Sequence, residues 1–413
     1  MKKVFISGLG TINPLGLNSK TTWENICNGK SGIDFIESFE TKEFVTKIAG
    51  EVKNFNPADH IDKKSAQRMD RFAQFATAAA LQALKQSKID LKQFDPYRIA
   101  TIVGSGIGGL STLSQQHEIL REKGPSRVTP FLIPMMLSDM ASAQISMLTK
   151  AMGQNFCPVS SCSSGADAIG IGMKMIRNNE IDIAIVGGAE APICPITVAG
   201  FNSAKALSKT NDNPQKASKP FHINRDGFVI AEGAAILILE NELSLSKGNR
   251  SPIVELIGYG TTSDAHHITE PGPEGISATN AMKNALLSSE ISANEIDYIN
   301  AHGTSTPMND KLETKAIQNI LGKLSEKTPV SSTKSMTGHL LGAGGALEAI
   351  ICSLSIKNGM IPPTINLDEV DPNCNLSHVY PATKKLNIKI ALSNSFGFGG
   401  HNSVLAFKAL QNE

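Results

Sequence analysis

Four short stretches hold the residue types that could do chemistry. Cys162 lies in Pro158-Val159-Ser160-Ser161-Cys162-Ser163-Ser164-Gly165, ahead of a helical pattern through Ile169, Met173 and Ile176. That spacing predicts Cys162 at a helix start, where unpaired N–H groups and the helix dipole favour an anion. A free thiol titrates near about 8.5, and such a site is expected to lower it toward neutrality. The alternative is a small buried cysteine. His302 follows an apolar run in Asn300-Ala301-His302-Gly303-Thr304-Ser305-Thr306-Pro307, with Asp310 and Glu313 behind it. It suits proton transfer, or equally a satisfied core position. Lys334 and His339 lie in Ser332-Thr333-Lys334-Ser335-Met336-Thr337-Gly338-His339, before the Gly-rich helix start Gly342-Ala343-Gly344-Gly345. A lysine among small residues needs a buried partner, and Glu313 is the expected one; His339 could instead cap the helix. The fourth stretch, Asn394-Ser395-Phe396-Gly397-Phe398-Gly399-Gly400-His401-Asn402, alternates glycine with phenylalanine. Its backbone N–H groups could face a developing oxyanion, or it could be a plain tight turn. No metal is expected, because His302 and His339 are far apart and no HxxxH or CxxC accompanies them.

The elements that must position these residues alternate between strands and helices. Strands are predicted at residues 4–8, 98–104, 181–188 and 234–240. One long amphipathic helix is predicted over 65–86, with Phe72, Phe75, Ala79 and Leu84 on its apolar side. Lys63, Lys64, Arg68 and Arg71 at its start read as a solvated face or as a docking patch. Gly104-Ser105-Gly106-Ile107-Gly108-Gly109 formally matches GxGxxG. The acidic residue of a dinucleotide unit should end the next strand, whereas Glu118 and Glu122 lie in a polar helical stretch. A nucleotide site is therefore rejected, and the glycines read as close strand–helix packing.

The second half repeats the first. Residues 253–262 end in Gly258 and Gly260 as 4–11 end in Gly8 and Gly10. Residues 296–303 match 99–109, residues 329–337 match 158–164, and 388–400 match 181–188. Alternating strands and helices indicate α/β layering. The expected division is 1–250, carrying the cysteine, and 251–413, carrying the histidines, lysine and glycine turn, with the charged stretch 242–251 as the joint.

Composition narrows the rest. The chain has 413 residues, 41% of them hydrophobic, enough for a large core, and a formal net charge of +1. That balance gives no support for nucleic-acid or membrane-surface binding. No apolar run approaches the roughly 18 residues a membrane span needs. The N-terminal Met1-Lys2-Lys3-Val4-Phe5-Ile6 mimics a signal peptide for a few residues, but Gly8, Gly10, Asn13 and Pro14 break the run. The six cysteines lack paired spacing and read as reduced thiols, so a cytoplasmic location is expected.

The set Cys162, His302 and His339, with Lys334 and Asn394-Ser395-Phe396-Gly397-Phe398-Gly399-Gly400, resembles the elongating β-ketoacyl-[acyl carrier protein] synthases, closest to the synthase II type. Gly200-Phe201, Ala206-Leu207-Ser208, Asn211-Asp212-Asn213-Pro214, Arg225-Asp226-Gly227-Phe228 and Pro362-Pro363-Thr364-Ile365-Asn366 also fit, so the resemblance covers essentially the whole chain. It implies a thiolase-like α-β-α-β-α fold of two duplicated halves, working as a homodimer. It implies condensation of acyl and malonyl groups carried on the phosphopantetheine arm of an acyl carrier protein, with no redox cofactor or metal. Cys162 would be the nucleophile, and His302 and His339 would stabilise the enolate formed on decarboxylation. The N–H groups of Cys162 and Phe398 would make an oxyanion hole, and Lys334 with Glu313 would hold the histidine loops. Phe398 would gate an acyl pocket lined by Ile107 and Phe201. Thr269, Thr304 and Thr306 would meet the pantetheine arm, and Lys63, Lys64, Arg68, Arg127 and Lys205 would dock the carrier protein. His266 and His401 stand where relatives often carry an aromatic residue and a threonine, which leaves acyl preference open.

Competing readings fare worse. A degradative thiolase needs a second cysteine in a late C-x-G turn, but Cys374 lies in Pro372-Asn373-Cys374-Asn375. A chain-initiating synthase would carry asparagine at His339, and a chain-length factor would lack the nucleophile. A polyketide ketosynthase domain would be embedded in a longer chain. An inactive carrier-protein scaffold would leave Cys162, His302 and His339 without a purpose.

Overall fold

A computed structural model describes residues 2–410. Eleven strands form one sheet: β1 Phe5–Ile12, β2 Ile99–Gly104, β3 Asn155–Phe156, β4 Ile183–Glu190, β5 Gly233–Glu240, β6 Val254–Ser263, β7 Tyr298–Asn300, β8 Pro329–Ser331, β9 Ser377–His378, β10 Ile390–Gly397 and β11 His401–Lys408. Their spatial order is β9-β8-β7-β10-β11-β6-β1-β5-β4-β2-β3. Outward from the middle, each side repeats one pattern. The first side runs β1-β5-β4-β2-β3 and the second β6-β11-β10-β7-β8, with β9 added at the edge. Strand directions repeat too: β3, β2 and β4 are parallel, as are β8, β7 and β10, while β5 and β11 run antiparallel to their neighbours. The seam between the sides is narrow, with Phe5 opposite Glu255 and Ile6 opposite Val254.

Alternating side chains sort each strand between two cores. Ala184 and Val186 of β4 face one cluster, and Ile183 and Ile185 face another. Leu405 and Phe407 of β11 join the first of these, while Val404 and Ala406 join a third. The first cluster is the middle layer, built on helices α2 Ser164–Arg177 and α5 Gly344–Asn358. The outer clusters hold α1 Arg71–Ser87 on one side and α3 Ile276–Ser289 with α4 Pro307–Leu321 on the other. The result is the expected five-layered thiolase-like arrangement. No helix among the described residues is long and apolar enough to cross a membrane.

The glycine pairs matched in sequence occupy matched places. A Cβ on Gly8 or Gly10 would lie 2.2 or 1.9 Å from the carbonyl oxygens of Ala83 and Ala79 in α1. On Gly258 or Gly260 it would lie 2.6 or 2.2 Å from those of Ala285 and Ala281 in α3. Both halves therefore seat the outer helix directly on the first strand's backbone.

One helix differs from expectation. The run predicted over 65–86 is two helices, Lys63–Ala66 and Arg71–Ser87. Asp70 breaks it: its Oδ1 caps the Phe72 N–H, and its Oδ2 accepts from Thr112. An aspartate so committed stabilises a new N-terminus rather than a helix interior.

Candidate active site

The corner that carries Cys162 is a single tight turn, Ser161–Ser163, which feeds α2. Ser161 holds φ at +53°, an uncommon value for a residue with a side chain. Glycine keeps the neighbourhood close. A Cβ on Gly397, at the end of β10, would come within 2.9 Å of the Cys162 nitrogen and the Ser160 oxygen. Ser163 Oγ lies 3.0 Å from the carbonyl oxygens of both Ser395 and His401, tying the corner to the glycine turn. The Phe398 N–H of that turn bonds to the thiol.

The second half turns the same corner at Leu341–Ala343 before α5, with Leu341 at φ +48°. The sequence matched residues 329–337 to the Cys162 corner; the structure corrects this. Lys334–Thr337 is an additional helical turn inserted upstream, and Gly342 is the counterpart of Cys162. His339 sits between the two and is clamped to the chain at 229–231. Its N–H donates to the Val229 oxygen (2.7 Å), and its carbonyl accepts from the Ala231 N–H (2.9 Å).

The three reactive side chains converge. His339 Nε2 lies 3.1 Å from Cys162 Sγ. The two imidazoles meet edge to face with centroids 5.2 Å apart, and one ring nitrogen from each lies within 4.8 Å of the sulfur. Lys334 Nζ is 3.3 Å from His302 Nδ1. These ligand types could hold a metal ion, but the Lys334 ammonium beside them opposes a second cation.

The lysine's partner is Glu348 of α5, not Glu313. Glu313 faces the other way. Its carboxylate accepts the N–H groups of His302 and Gly303, each at 2.7 Å, and the Asn394 amide at 3.1 Å. It thus shapes the turn that presents His302, while Glu348 neutralises Lys334. Glu348 carried a sequence signal, since it is the one charged side chain between Thr337 and Lys357. An acid isolated on an apolar helix needs a buried cation.

Burial also reverses the expected state of the thiol. Removal from water pushes the Cys162 pKa up to about 11, although the Lys334 charge and the Phe398 N–H pull the other way. At neutral pH Cys162 is therefore a thiol, not a thiolate. Burial first, and Lys334 second, hold both histidines well below the usual 6.5, so both are neutral. A neutral His339 can take the thiol proton, and each ring can donate one N–H to a developing negative charge.

The remaining predicted residues distribute as follows. Ile107 and Phe201, both half-buried, pack on the apolar cluster that contains Cys162, Ile193, Val198 and Leu341. Phe201 faces Phe398 at 6.5 Å and Phe228 at 5.3 Å. Thr304 and Thr306 share a hydroxyl contact of 2.9 Å beside His302. Thr269 is exposed, next to Ile268, whose carbonyl accepts the Gly399 N–H at 2.8 Å. Asp264, which the sequence did not flag as a site residue, ties that same loop to the glycine turn through the Gly400 oxygen and the Asn402 amide. Lys63, Lys64, Arg68, Arg127 and Lys205 are all exposed. Arg68 stacks on the Phe131 ring, four residues from Arg127, whereas Lys205 lies four residues beyond Phe201.

A surface cleft of about 570 Å³ between Lys30, Asn213, Lys216 and Ile365 is separate from the thiol. Residues on and beside its walls nonetheless hold the inserted turn from behind. Gly32 N–H donates to the Met336 oxygen, Ser218 to the Lys334 oxygen, and Ile365 N–H to Ser335 Oγ.

Comparison with known proteins identifies the family. Residues 1–244 match the beta-ketoacyl synthase N-terminal domain, and residues 253–368 match its C-terminal domain. The chain is 47% identical over 410 residues to 3-oxoacyl-[acyl-carrier-protein] synthase 2 of Staphylococcus aureus, covering 99% of each. It is 46% identical over 411 residues to the protein of the same name from Synechocystis sp., again covering 99% of each. Among solved structures, a beta-ketoacyl synthase from Burkholderia phymatum superposes with a TM-score of 0.91 at 30% identity over the whole of both chains. A type II polyketide ketosynthase, solved with its acyl carrier protein, superposes at 0.91 with 32% identity, covering 99% of this chain and 100% of that one. The chain belongs to the β-ketoacyl synthase family.

Proposed function

We propose that this protein is an elongating 3-oxoacyl-[acyl carrier protein] synthase of fatty acid synthesis. The observation that carries the reading is the Cys162 thiol held 3.1 Å from a neutral His339, with a second neutral histidine beside it.

The reaction begins with acyl transfer. Cys162 Sγ attacks the thioester of an acyl carrier protein as His339 Nε2 takes the thiol proton. The carrier thiol leaves with that proton, and the acyl group stays on Cys162. The donated N–H groups of Cys162 and Phe398 stabilise the oxygen of the tetrahedral intermediate. Malonyl carrier protein then loses CO₂, and its electron pair becomes an enolate whose oxygen accepts from His302 and His339. The carbanion attacks the Cys162 thioester, the C–S bond breaks, and a 3-oxoacyl carrier protein two carbons longer leaves. The Cys162 thiolate then takes a proton from solvent, because the one it lost has left with the carrier thiol. Lys334, paired with Glu348, supports both histidines electrostatically, and Glu313 positions His302. Ile107, Phe201 and Phe398 line and gate the acyl pocket, while Thr269, Thr304 and Thr306 face the pantetheine arm.

The exposed cations Lys63, Lys64, Arg68, Arg127 and Lys205 suit an acidic carrier protein, in keeping with the carrier-bound ketosynthase noted above. The chain divides into a nucleophile half, 1–250, and a histidine half, 251–413. A homodimer is supported by the edge strand β3 and the exposed Ile133, Met147, Leu148 and Val159, an unprotected edge with apolar surface of the kind that associates. The absence of paired cysteine spacing suits a reducing cytoplasm.

The test is Cys162→Ala. Condensation is expected to fall on the order of 10⁶-fold, the scale of deleting an enzyme's nucleophile. Mass spectrometry of the variant after incubation with acyl carrier protein should show no acyl adduct. Elongation at the wild-type rate would end the proposal.

A further inference from the structure

Glu190 ends β4 and is fully buried. One of its oxygens, Oε1, gathers three donors from a single turn. Ser105 Oγ donates at 2.6 Å, Ile107 N–H at 3.2 Å, and Gly106 N–H completes the set. Ser105 Oγ also accepts the Gly108 N–H at 3.0 Å, so the whole of Ser105–Gly108 hangs from this carboxylate. The other oxygen, Oε2, is buried without a partner among the described residues. Burial pushes the Glu190 pKa up to about 7, and the three donors pull the other way.

What it orders is the floor next to the nucleophile. A Cβ added to Gly106 would lie 3.5 Å from the Ser161 oxygen and 3.7 Å from Glu190 Oε1. A Cβ on Gly342 would lie 2.7 Å from the Gly106 nitrogen and 3.0 Å from Oε1. Glu190 Oε1 therefore sits where the Ser105–Ile107 turn meets both corners. Ile107, hung from it by its own N–H, packs on the apolar cluster of Cys162, Ile193, Val198 and Leu341.

We infer that Glu190 is a positioning residue for acyl-chain selection: it fixes Ile107 as a wall of the pocket beside Cys162 by holding the Ser105–Ile107 turn at one oxygen. The inference rests on the proposed acyl transfer to Cys162. It requires that loosening the turn change which acyl groups are accepted, since a shifted isoleucine side chain alters a hydrophobic pocket by about a methylene's worth of contact or more.

The experiment compares short-chain and long-chain acyl carrier proteins as donors and reads the ratio of their Cys162 acylation rates by mass spectrometry. Glu190→Ala removes all three acceptor contacts, and the ratio is expected to change by roughly tenfold. Glu190→Gln keeps an acceptor oxygen at Oε1, and the ratio should stay at the wild-type value. Glu190→Asp retains the carboxyl group but withdraws its oxygens by one methylene, so its ratio should move in the direction of Glu190→Ala. If Glu190→Ala does not fold, the Asp and Gln pair decides. A general loss of stability would slow both donors together and leave the ratio alone. An unchanged ratio in Glu190→Ala or Glu190→Asp would overturn the inference, as would a Gln variant as altered as the Asp one. Failure of the wild-type protein to accept any acyl group would strike the proposed activity instead.

Discussion

The two halves turn the same corner and load it differently. Ser161 and Leu341 share a positive φ, each opens a single tight turn, and each turn feeds a helix of the middle layer. One turn carries Cys162, the other Gly342. The glycine is compulsory where it stands, because any side chain would strike the Gly106 nitrogen. The cysteine corner gains from the emptiness of its counterpart: a Cβ on Gly165, just after Cys162, would already meet the Gly342 oxygen at 2.7 Å. The second half's share of the proposed chemistry sits instead on its insertion, just after it and on a strand end, with Lys334 and His339 upstream of the corner and His302 after β7. A duplicated frame can thus divide labour by stripping one copy of a side chain and lengthening the approach to it.

Removing His339, the group that reaches across from just after the inserted turn, should cost most after the nucleophile itself. His339→Ala is expected to lower malonyl decarboxylation by about 10²–10³-fold, the scale of one lost oxyanion donor. Unchanged CO₂ release would detach the insertion from the chemistry. Next come the two acids. Glu348→Ala leaves the Lys334 ammonium buried and unpaired, a loss of about 3–5 kcal/mol in denaturant unfolding. Glu313→Gln disturbs the N–H donors at His302 and Gly303 and the Asn394 amide, and should cost about 1–3 kcal/mol. Equal losses would return Glu313 to the role of lysine partner. Gly342→Ala overpacks the silent corner and should destabilise by about 1–3 kcal/mol. A neutral result there would deny that the corners press on one another.

The smallest effect concerns the thiol's state. Its pKa of about 11 means that the thiolate fraction, and so alkylation by iodoacetamide, keeps rising between pH 9 and 11. A rate that levels near pH 8.5 would mean that the helix start outweighs burial.

Much of this was readable from residue types. The glycine pairs at 8, 10, 258 and 260 announced the repeat, and Cys162, His302 and His339 were singled out as side chains that the fold then brings together, because close backbone contact and proton chemistry restrict which residues serve. Three things were not settled by residue type. The register of the second corner was displaced by the Lys334–Thr337 turn, whose small residues resemble those around Cys162. The pairing of Lys334 depends on which of two buried acids a folded helix turns toward it. The thiol's ionisation depends on how much water the assembled halves exclude, which no local pattern encodes.

The order of the strands carries a cost during synthesis. In the sheet β1 is flanked along its length by β5, with Phe5 opposite Glu240, and by β6 only at Phe5 and Ile6. The first strand off the ribosome must wait for more than half the chain before its edge is covered. Contacts so distant in sequence are slow to close, and an uncovered apolar strand invites pairing with another chain. The nascent protein is consequently most exposed to aggregation before Gly233–Glu240 emerges, and chains halted short of that strand should need chaperone protection that the finished protein does not.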